Sequence, residues 1–392
     1  MPECAAFCKE ETDLEVPFHR PDITDEEIEA VARTLRSGWL TMGPETFRFE
    51  KELAGYLGAD HAVCLSSGTA ALHLALICAG IGPGDQVIMP AVTFVSTAEA
   101  VRYLGAEPVL ADVEYDTHCL DVQDLRKRIT KRTRAIIPVH FGGHPADMDP
   151  LLDLAREHEL AVIEDAAHAL PSKYKGRYCG TLGDAGCFSF YATKTLTTGE
   201  GGMIITGRQD WADRARSLRL HGISRDAWNR YGKGGSWRYD VHETGYKYNM
   251  TDMQAALGRG QLSRLDDMHG KRREIARAYT EAFEPLPGLV PFREREGCRS
   301  SWHLYPLKID GEDEGVRDDM MDILSKKGIS TSLHFIPLHH FSGYRDLDTG
   351  DLPVSEKVFR QNLSLPINSK MVEDDISFVK NEVIQAAREV LK

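Results

Sequence analysis

The stretch AVCLSSGTAALHLALICA, Ala62–Ala79, decides the fold class. Ala62–Leu65 is an apolar run of strand length. Ser66, Ser67 and Gly68 turn the chain, and Thr69–Ala79 is a strongly helical run. A strand that feeds a helix through a glycine turn is half of a strand–helix–strand unit. The same reading recurs along the chain. Gln86–Met89, Val109–Ala111, Ala135–Val139, Ala161–Ile163, Cys187–Phe190 and Met203–Thr206 read as short buried strands. Ser96–Leu104, Asp121–Ile129 and Met148–His158 have helical length between them. This alternation predicts an α/β domain with a mainly parallel sheet, whose ligands sit beyond the C-terminal strand ends.

Outside this domain the pattern changes. A helix is predicted after Thr24, where Thr24 and Glu27 fit a capping box and Ile28, Val31 and Leu35 form an apolar stripe. Leu262–Phe283 reads as one long amphipathic connecting helix. Beyond it come Trp302–Ile309, a helical Asp318–Lys326, a β-like Ile329–Ile336 and a last helix over Asp374–Leu391. We therefore expect a large domain over residues 1–260, N-terminal arm included, and a small α+β domain over 261–392.

Composition narrows the function. The 392 residues carry 47 Lys+Arg against 60 Asp+Glu, a net charge of −13. Such a chain, with no basic block, is not built to neutralise a nucleic-acid backbone. It has no apolar run long enough to span a membrane and no signal-peptide pattern at its start. Eight cysteines without a CxxC pair argue against a disulfide scaffold or a structural zinc site. Cys4 and Cys8 are the one pair close enough in sequence to consider for a bridge or a metal. A cytoplasmic protein with free thiols, and with no metal, is the expectation.

Four segments carry chemistry. In SSGTAAL (Ser66–Leu72) Gly68 allows a tight turn, and Thr69 offers a hydroxyl and an N–H where a helix start favours a phosphate. A plain helix cap is the alternative. In AVIEDAAHAL (Ala161–Leu170) two carboxylates, Glu164 and Asp165, end a strand, with His168 one helical turn on. Asp165 could pair with a protonated ring nitrogen, and a metal is the competing reading. In GCFSFYATKTLTTGEGGMI (Gly186–Ile204) a lone Lys194 sits in a small-residue turn between two strands. Partial desolvation would lower its pKa and make it a Schiff-base nucleophile; a solvated surface lysine is the ordinary alternative. Phe94, just past QVIMP, could stack on a planar ligand or belong to the core. A phosphate cradle, a carboxylate for a pyridinium nitrogen, a stacking ring and a Schiff-base lysine together are the parts a pyridoxal phosphate site needs.

The ordered set of GWLTMGPETFRFE, SSGTAAL, GDQVIMPAVTFVST, VHFGGHPADM, EDAAHA, SFYATKTLTTGEGG, GYKYNMTDMQAALG and HFIPLHHFSGYR resembles the DegT/DnrJ/EryC1/StrS family of pyridoxal-phosphate-dependent sugar aminotransferases. The resemblance implies the aspartate aminotransferase fold, fold type I. It implies Lys194 as the cofactor's Schiff-base partner, Asp165 on the pyridine nitrogen, His168 beside the phenolic oxygen, Phe94 on the ring, and Gly68, Thr69 and Ser189 at the phosphate. In relatives a loop from a partner subunit completes the phosphate site. Here it reads GYKYN (Gly245–Asn249), where many relatives read GYNYR, and Asn249 is the expected contact.

The resemblance further implies a homodimer with shared sites. It implies L-glutamate as amino donor and a nucleotide-linked keto-deoxy sugar, a 4-keto sugar for choice, as acceptor. Turnover would be ping-pong through pyridoxamine phosphate. Residues 223–244, rich in Trp, Tyr, Arg and Gly, read either as a long loop or as a flap in which Trp237 and Arg238 close over the nucleotide. His334 could contact the sugar or serve the small domain. A cyclitol (inosose) aminotransferase and a non-catalytic cofactor-binding regulator are the alternatives.

Overall fold

The computed structural model describes residues 15–223, 239–311, 315–347 and 349–391. Two helices come first, α1 (Asp25–Ser37) and α2 (Pro44–Leu57). The alternating region gives β1 (His61–Leu65), α3 (Gly68–Cys78), β2 (Gln86–Pro90), α4 (Ser96–Arg102), β3 (Glu107–Ala111), α5 (Val122–Arg128), β4 (Thr133–Ile136), α6 (Met148–Glu157) and β5 (Ala161–Asp165). Then follow the short strands β6 (Lys173–Tyr174) and β7 (Arg177–Tyr178), β8 (Ala185–Ser189), β9 (Gly202–Thr206) and α7 (Gln209–Leu218). Helices α8 (Asp252–Ser263) and α9 (Leu265–Phe283) lead to β10 (Leu289–Pro291), β11 (Cys298–Arg299), β12 (Tyr305–Ile309), α10 (Gly315–Lys326), α11 (Pro353–Gln361), β13 (Asn362–Leu365) and α12 (Glu373–Val390).

Among the described residues, seven strands form the main sheet in the order β1-β9-β8-β5-β4-β2-β3. Strands β8, β5, β4, β2 and β3 are mutually parallel. Only β9 runs against its neighbours, β1 and β8. The strands read as continuous apolar runs because both faces are covered. One core lies on the Phe49, Leu53, Ile88 and Phe188 side, and the other on the Leu72, Val87, Ile163 and Ile204 side. The C-terminal strands make a small antiparallel sheet, β10-β12-β13, with its own core of Tyr279, Phe283, Leu307, Met320, Val379 and Val383. Val16 belongs to that core too, bridging Ile329, so the start of the described chain is tied to its end. Helix α9 spans the two regions: Leu265 and Met268 pack on the first core, Ile275 and Tyr279 on the last.

Three sequence expectations need correction. The long helix starts at Leu265, because Arg264 leaves helical geometry and turns its guanidinium to Glu27 (3.0 Å) and the Asp22 carbonyl (2.8 Å). Residues 329–336 form no strand, only isolated bridges from Ile329 to Val16 and Ser332 to Ser364. There the Asn362 amide, not a ladder N–H, donates to the His334 carbonyl at 2.8 Å. Helix α1 has its capping box, but its apolar stripe is turned outward: Ile28 and Leu35 are exposed while Glu27 is buried against Arg264. No helix among the described residues is long and apolar enough to cross a membrane.

Candidate active site

A cavity of about 460 Å³ opens beyond the C-terminal ends of the parallel strands. Its lining includes Gly68, Thr69, Phe94, Asp165, His168, Ser189, Lys194 and His334, eight residues singled out in the sequence. Asn249 is not among them; its amide donates to the Met250 carbonyl (3.3 Å), and its side-chain oxygen accepts from Lys247. Trp237 and Arg238 lie outside the described residues, as do Cys4 and Cys8.

One end of the cavity is a backbone cradle. Ser67 caps α3, its hydroxyl accepting from the Ala70 N–H at 3.0 Å. The amides of Gly68 and Thr69, in the first turn of this eleven-residue helix, have no intrahelical acceptor. Glycine is required here by close approach. A Cβ on Gly68 would stand 2.9 Å from that of Ser189, and one on Gly202 would meet the Ser67 carbonyl oxygen at 2.2 Å. The N–H groups, the helix dipole and the hydroxyls of Thr69 and Ser189 suit a phosphate.

At the other end the strand termini bring opposite charges together. Asp165 ends β5 and is 6% exposed. Its Oδ2 accepts from the Thr97 hydroxyl (2.8 Å), which also meets Thr93 (2.9 Å), and its Oδ1 accepts from the Ala167 N–H (3.2 Å). Burial raises its pKa, and Thr97, Ala167 and the Lys194 charge pull it back. Glu164, its sequence neighbour, faces the opposite side of the strand, as alternation requires. There it accepts from the Gly180, Leu182 and Gly183 amides (2.6, 2.6 and 2.7 Å) and lies 2.9 Å from His140 Nε2. The two carboxylates therefore do not form a joint metal site with His168.

Lys194 sits in the turn between β8 and β9, its N–H bonded to the Tyr191 carbonyl. Burial lowers its pKa to about 8, with the Asp165 charge opposing the shift. This lysine lines a cleft and is not solvated on a surface. Phe94 is 57% exposed, so it belongs to the cleft mouth and not to the core.

The second wall holds three imidazoles. His168 Nδ1 accepts from the Gly142 N–H at 3.3 Å, so a neutral ring carries its proton on Nε2. Burial holds it well below the usual histidine range, and the Lys194 charge adds to the effect. His303, at a ring separation of 4.4 Å, is shifted down in the same way; it is 6% exposed and its Nδ1 has no partner. His334 Nδ1 lies 3.0 Å from the Ser364 hydroxyl, and burial lowers its pKa to about 3. Phe335 stacks on His168 and tilts toward Phe94. Sequence reading missed His303, Phe335, Thr93 and Thr97. His303 stands alone in SWHLY, and Thr97 is one of several threonines near Phe94, so no local pattern marks either.

A fold type I sheet with a lysine, an aspartate and a capped helix start at its C-terminal edge fits a pyridoxal-phosphate-dependent enzyme. Residues 21–384 match the DegT/DnrJ/EryC1/StrS aminotransferase family, and the chain belongs to it. It is therefore a sugar aminotransferase of the pyridoxal-phosphate-dependent kind, a transferase. Over 383 residues it is 48% identical to the "Spore coat polysaccharide biosynthesis protein SpsC" of Bacillus subtilis (strain 168), covering 96% of this chain and 97% of the relative. The putative sugar aminotransferase Spr1654 of Streptococcus pneumoniae, solved in its PLP form, superposes with a TM-score of 0.91 at 33% identity, covering 97% of this chain and 100% of that one. DesI, solved in the presence of its TDP-sugar product, gives a TM-score of 0.86 at 33% identity, with 96% and 94% covered.

Proposed function

We propose that this enzyme transfers the amino group of L-glutamate to the keto carbon, at C4, of a nucleotide-linked keto-deoxy sugar, in two half-reactions that share one cofactor. The observation that carries the reading is a single cleft lined by Lys194, whose pKa burial lowers to about 8, by the buried Asp165 carboxylate and by a backbone anion cradle. The sugar half draws support from DesI, solved with a TDP-sugar product, and from SpsC, named for polysaccharide biosynthesis.

When bound, pyridoxal phosphate supplies an electron sink and a carrier for the amino group. The chain's own residues do the rest. Gly68, Thr69 and Ser189 would hold the phosphate, and Phe94 would pack against the ring. Asp165, fixed by Thr97 and Ala167, stabilises a cationic nitrogen opposite it. Lys194 would hold the cofactor through its amine and, once the donor's amine has displaced it, the freed amine would take a proton from the α carbon of the donor and, in the second half-reaction, deliver one to the former keto carbon of the acceptor. A pKa near 8 suits both directions of that transfer. His168, with its proton on Nε2, can donate to an oxygen in the cleft. We assign Asn249 to the phosphate site of a second copy in a homodimer, and Trp237 and Arg238 to the nucleotide.

The test is turnover with glutamate and a panel of 4-keto nucleotide sugars, 3-keto nucleotide sugars and inosose. Release of 2-oxoglutarate is measured and the aminated carbon located by NMR. Amination at C4 of a nucleotide sugar is expected. Turnover of inosose alone would make the enzyme a cyclitol aminotransferase. No turnover with cofactor bound would make it a regulator.

A further inference from the structure

Two imidazoles and a carboxylate meet outside the residues that line the cleft. His339 and His340 are consecutive in a 3-10 turn, Leu338–His340, and Glu356 lies in α11. The Nε2 atoms of both histidines stand 2.7 Å from the same oxygen, Oε1 of Glu356. The two rings are nearly perpendicular, at 85°. One ligand atom from each of the three residues falls within 4.8 Å of the others. The side chains are 19%, 32% and 32% exposed, so water reaches the point where they converge.

Both elements are pinned to the main sheet. The N–H of Leu338, a fully buried residue, donates to the Ala91 carbonyl just past β2 (2.9 Å). The start of α11 is fixed by Asp112, just past β3. Its carboxylate accepts from the Val354 N–H (2.9 Å) and from the Ser355 N–H and hydroxyl (both 2.6 Å). Two rigid supports thus aim three donor atoms at one spot. Ligands about 2.0–2.1 Å from a tetrahedral ion stand roughly 3.3 Å apart, so each His–Glu contact of 2.7 Å must open by about half an ångström, and the three atoms, all within 4.8 Å of one another, are near enough for side-chain rotation to seat an ion. Two neutral imidazoles and one carboxylate suit a zinc-class cation and not magnesium, which prefers an all-oxygen shell.

We propose that His339, His340 and Glu356 bind a divalent transition cation of the zinc class, with water completing its shell. The ion staples the 3-10 turn to α11. The segment it holds begins just after His334 and Phe335, so the staple steadies the second wall of the cleft. This inference does not depend on the substrate assigned above.

The experiment uses tag-free, cofactor-loaded enzyme stripped with a chelator. It is titrated with Zn²⁺ and separately with Mg²⁺ by calorimetry, and melted with and without each ion. One Zn²⁺ per chain is expected, with no Mg²⁺ binding and a melting temperature raised by about 2–4 °C at saturating zinc. His340→Ala and Glu356→Gln should each weaken binding by at least about tenfold. Failure of the wild type to bind Zn²⁺ overturns the proposal, as does equal affinity in both variants. Metal held by the cofactor itself would persist in every variant and so also counts against the site. Should Glu356→Gln not fold, the half-exposed His340→Ala decides.

Discussion

On one wall of the cleft, Asp165, Ser189 and Lys194 come from a single stretch of chain and stand at the ends of neighbouring parallel strands. On the other, His303 and His334 come from the C-terminal region, one just before β12 and the other before the 3-10 turn. The first wall is held by backbone and short polar contacts, Thr97 on Asp165 above all. The second is held by ring packing among His168, His303, Phe335 and Phe94. The difference separates two jobs. Strand ends fix charged groups to fractions of an ångström, which proton transfer needs. Packed rings gathered from remote parts of the chain can differ from one relative to another without disturbing the charges, which substrate choice needs.

Variants can break this contrast, and the first-wall effects should be largest. Lys194→Ala should lower kcat by about 10⁴-fold or more, since it removes both attachment and proton transfer. Borohydride treatment of the wild type with pyridoxal phosphate should fix label at residue 194, and mass spectrometry of the variant should show none. Asp165→Asn should cost about 10³-fold in kcat with little change in the glutamate KM; a purely structural Asp165 would instead lower the melting temperature and spare kcat in the folded fraction.

Stability should respond in the opposite sense. Burial lowers the Lys194 pKa from 10.5 to about 8. The unfolded chain therefore holds more protons than the folded one between those values, and stability of the cofactor-free protein rises with pH across that window. Below pH 8 the folded state bears the full cost, up to roughly 3 kcal/mol. Lys194→Met should thus stabilise the cofactor-free protein at pH 7 and make little difference above pH 10.5, as read by denaturant melts at both values.

The smaller effects sharpen the comparison. Thr97→Val should reduce kcat by about tenfold through the loss of one hydrogen bond to a carboxylate, with Thr97→Ser restoring most of it. His303→Gln should raise the sugar KM by roughly threefold to tenfold while leaving the glutamate half-reaction, followed by stopped-flow absorbance, almost unchanged. Equal damage to both half-reactions would place His303 with the first wall.

The alternating apolar runs were enough to predict a parallel α/β sheet, because burial on both faces leaves each strand a continuous apolar word. Four of the cleft residues were legible for a related reason: Asp165 ends a strand and Gly68, Phe94 and Lys194 lie within five residues past one, and strand ends share one edge of the sheet. Other features were beyond local reading. The outward turn of Ile28 and Leu35 depends on Arg264 waiting for Glu27, and the break before α9 depends on the same arginine. His303 and Thr97 acquire roles only when distant segments meet. His339, His340 and Glu356 converge because Ala91 and Asp112, ends of adjacent strands, hold their two supports side by side. Sequence alone determined what periodicity and neighbouring residues encode, namely the sheet, its edge and the charged pair that edge displays. Tertiary structure decided which remote side chains share a space, since that follows from packing between elements and leaves no period in the chain.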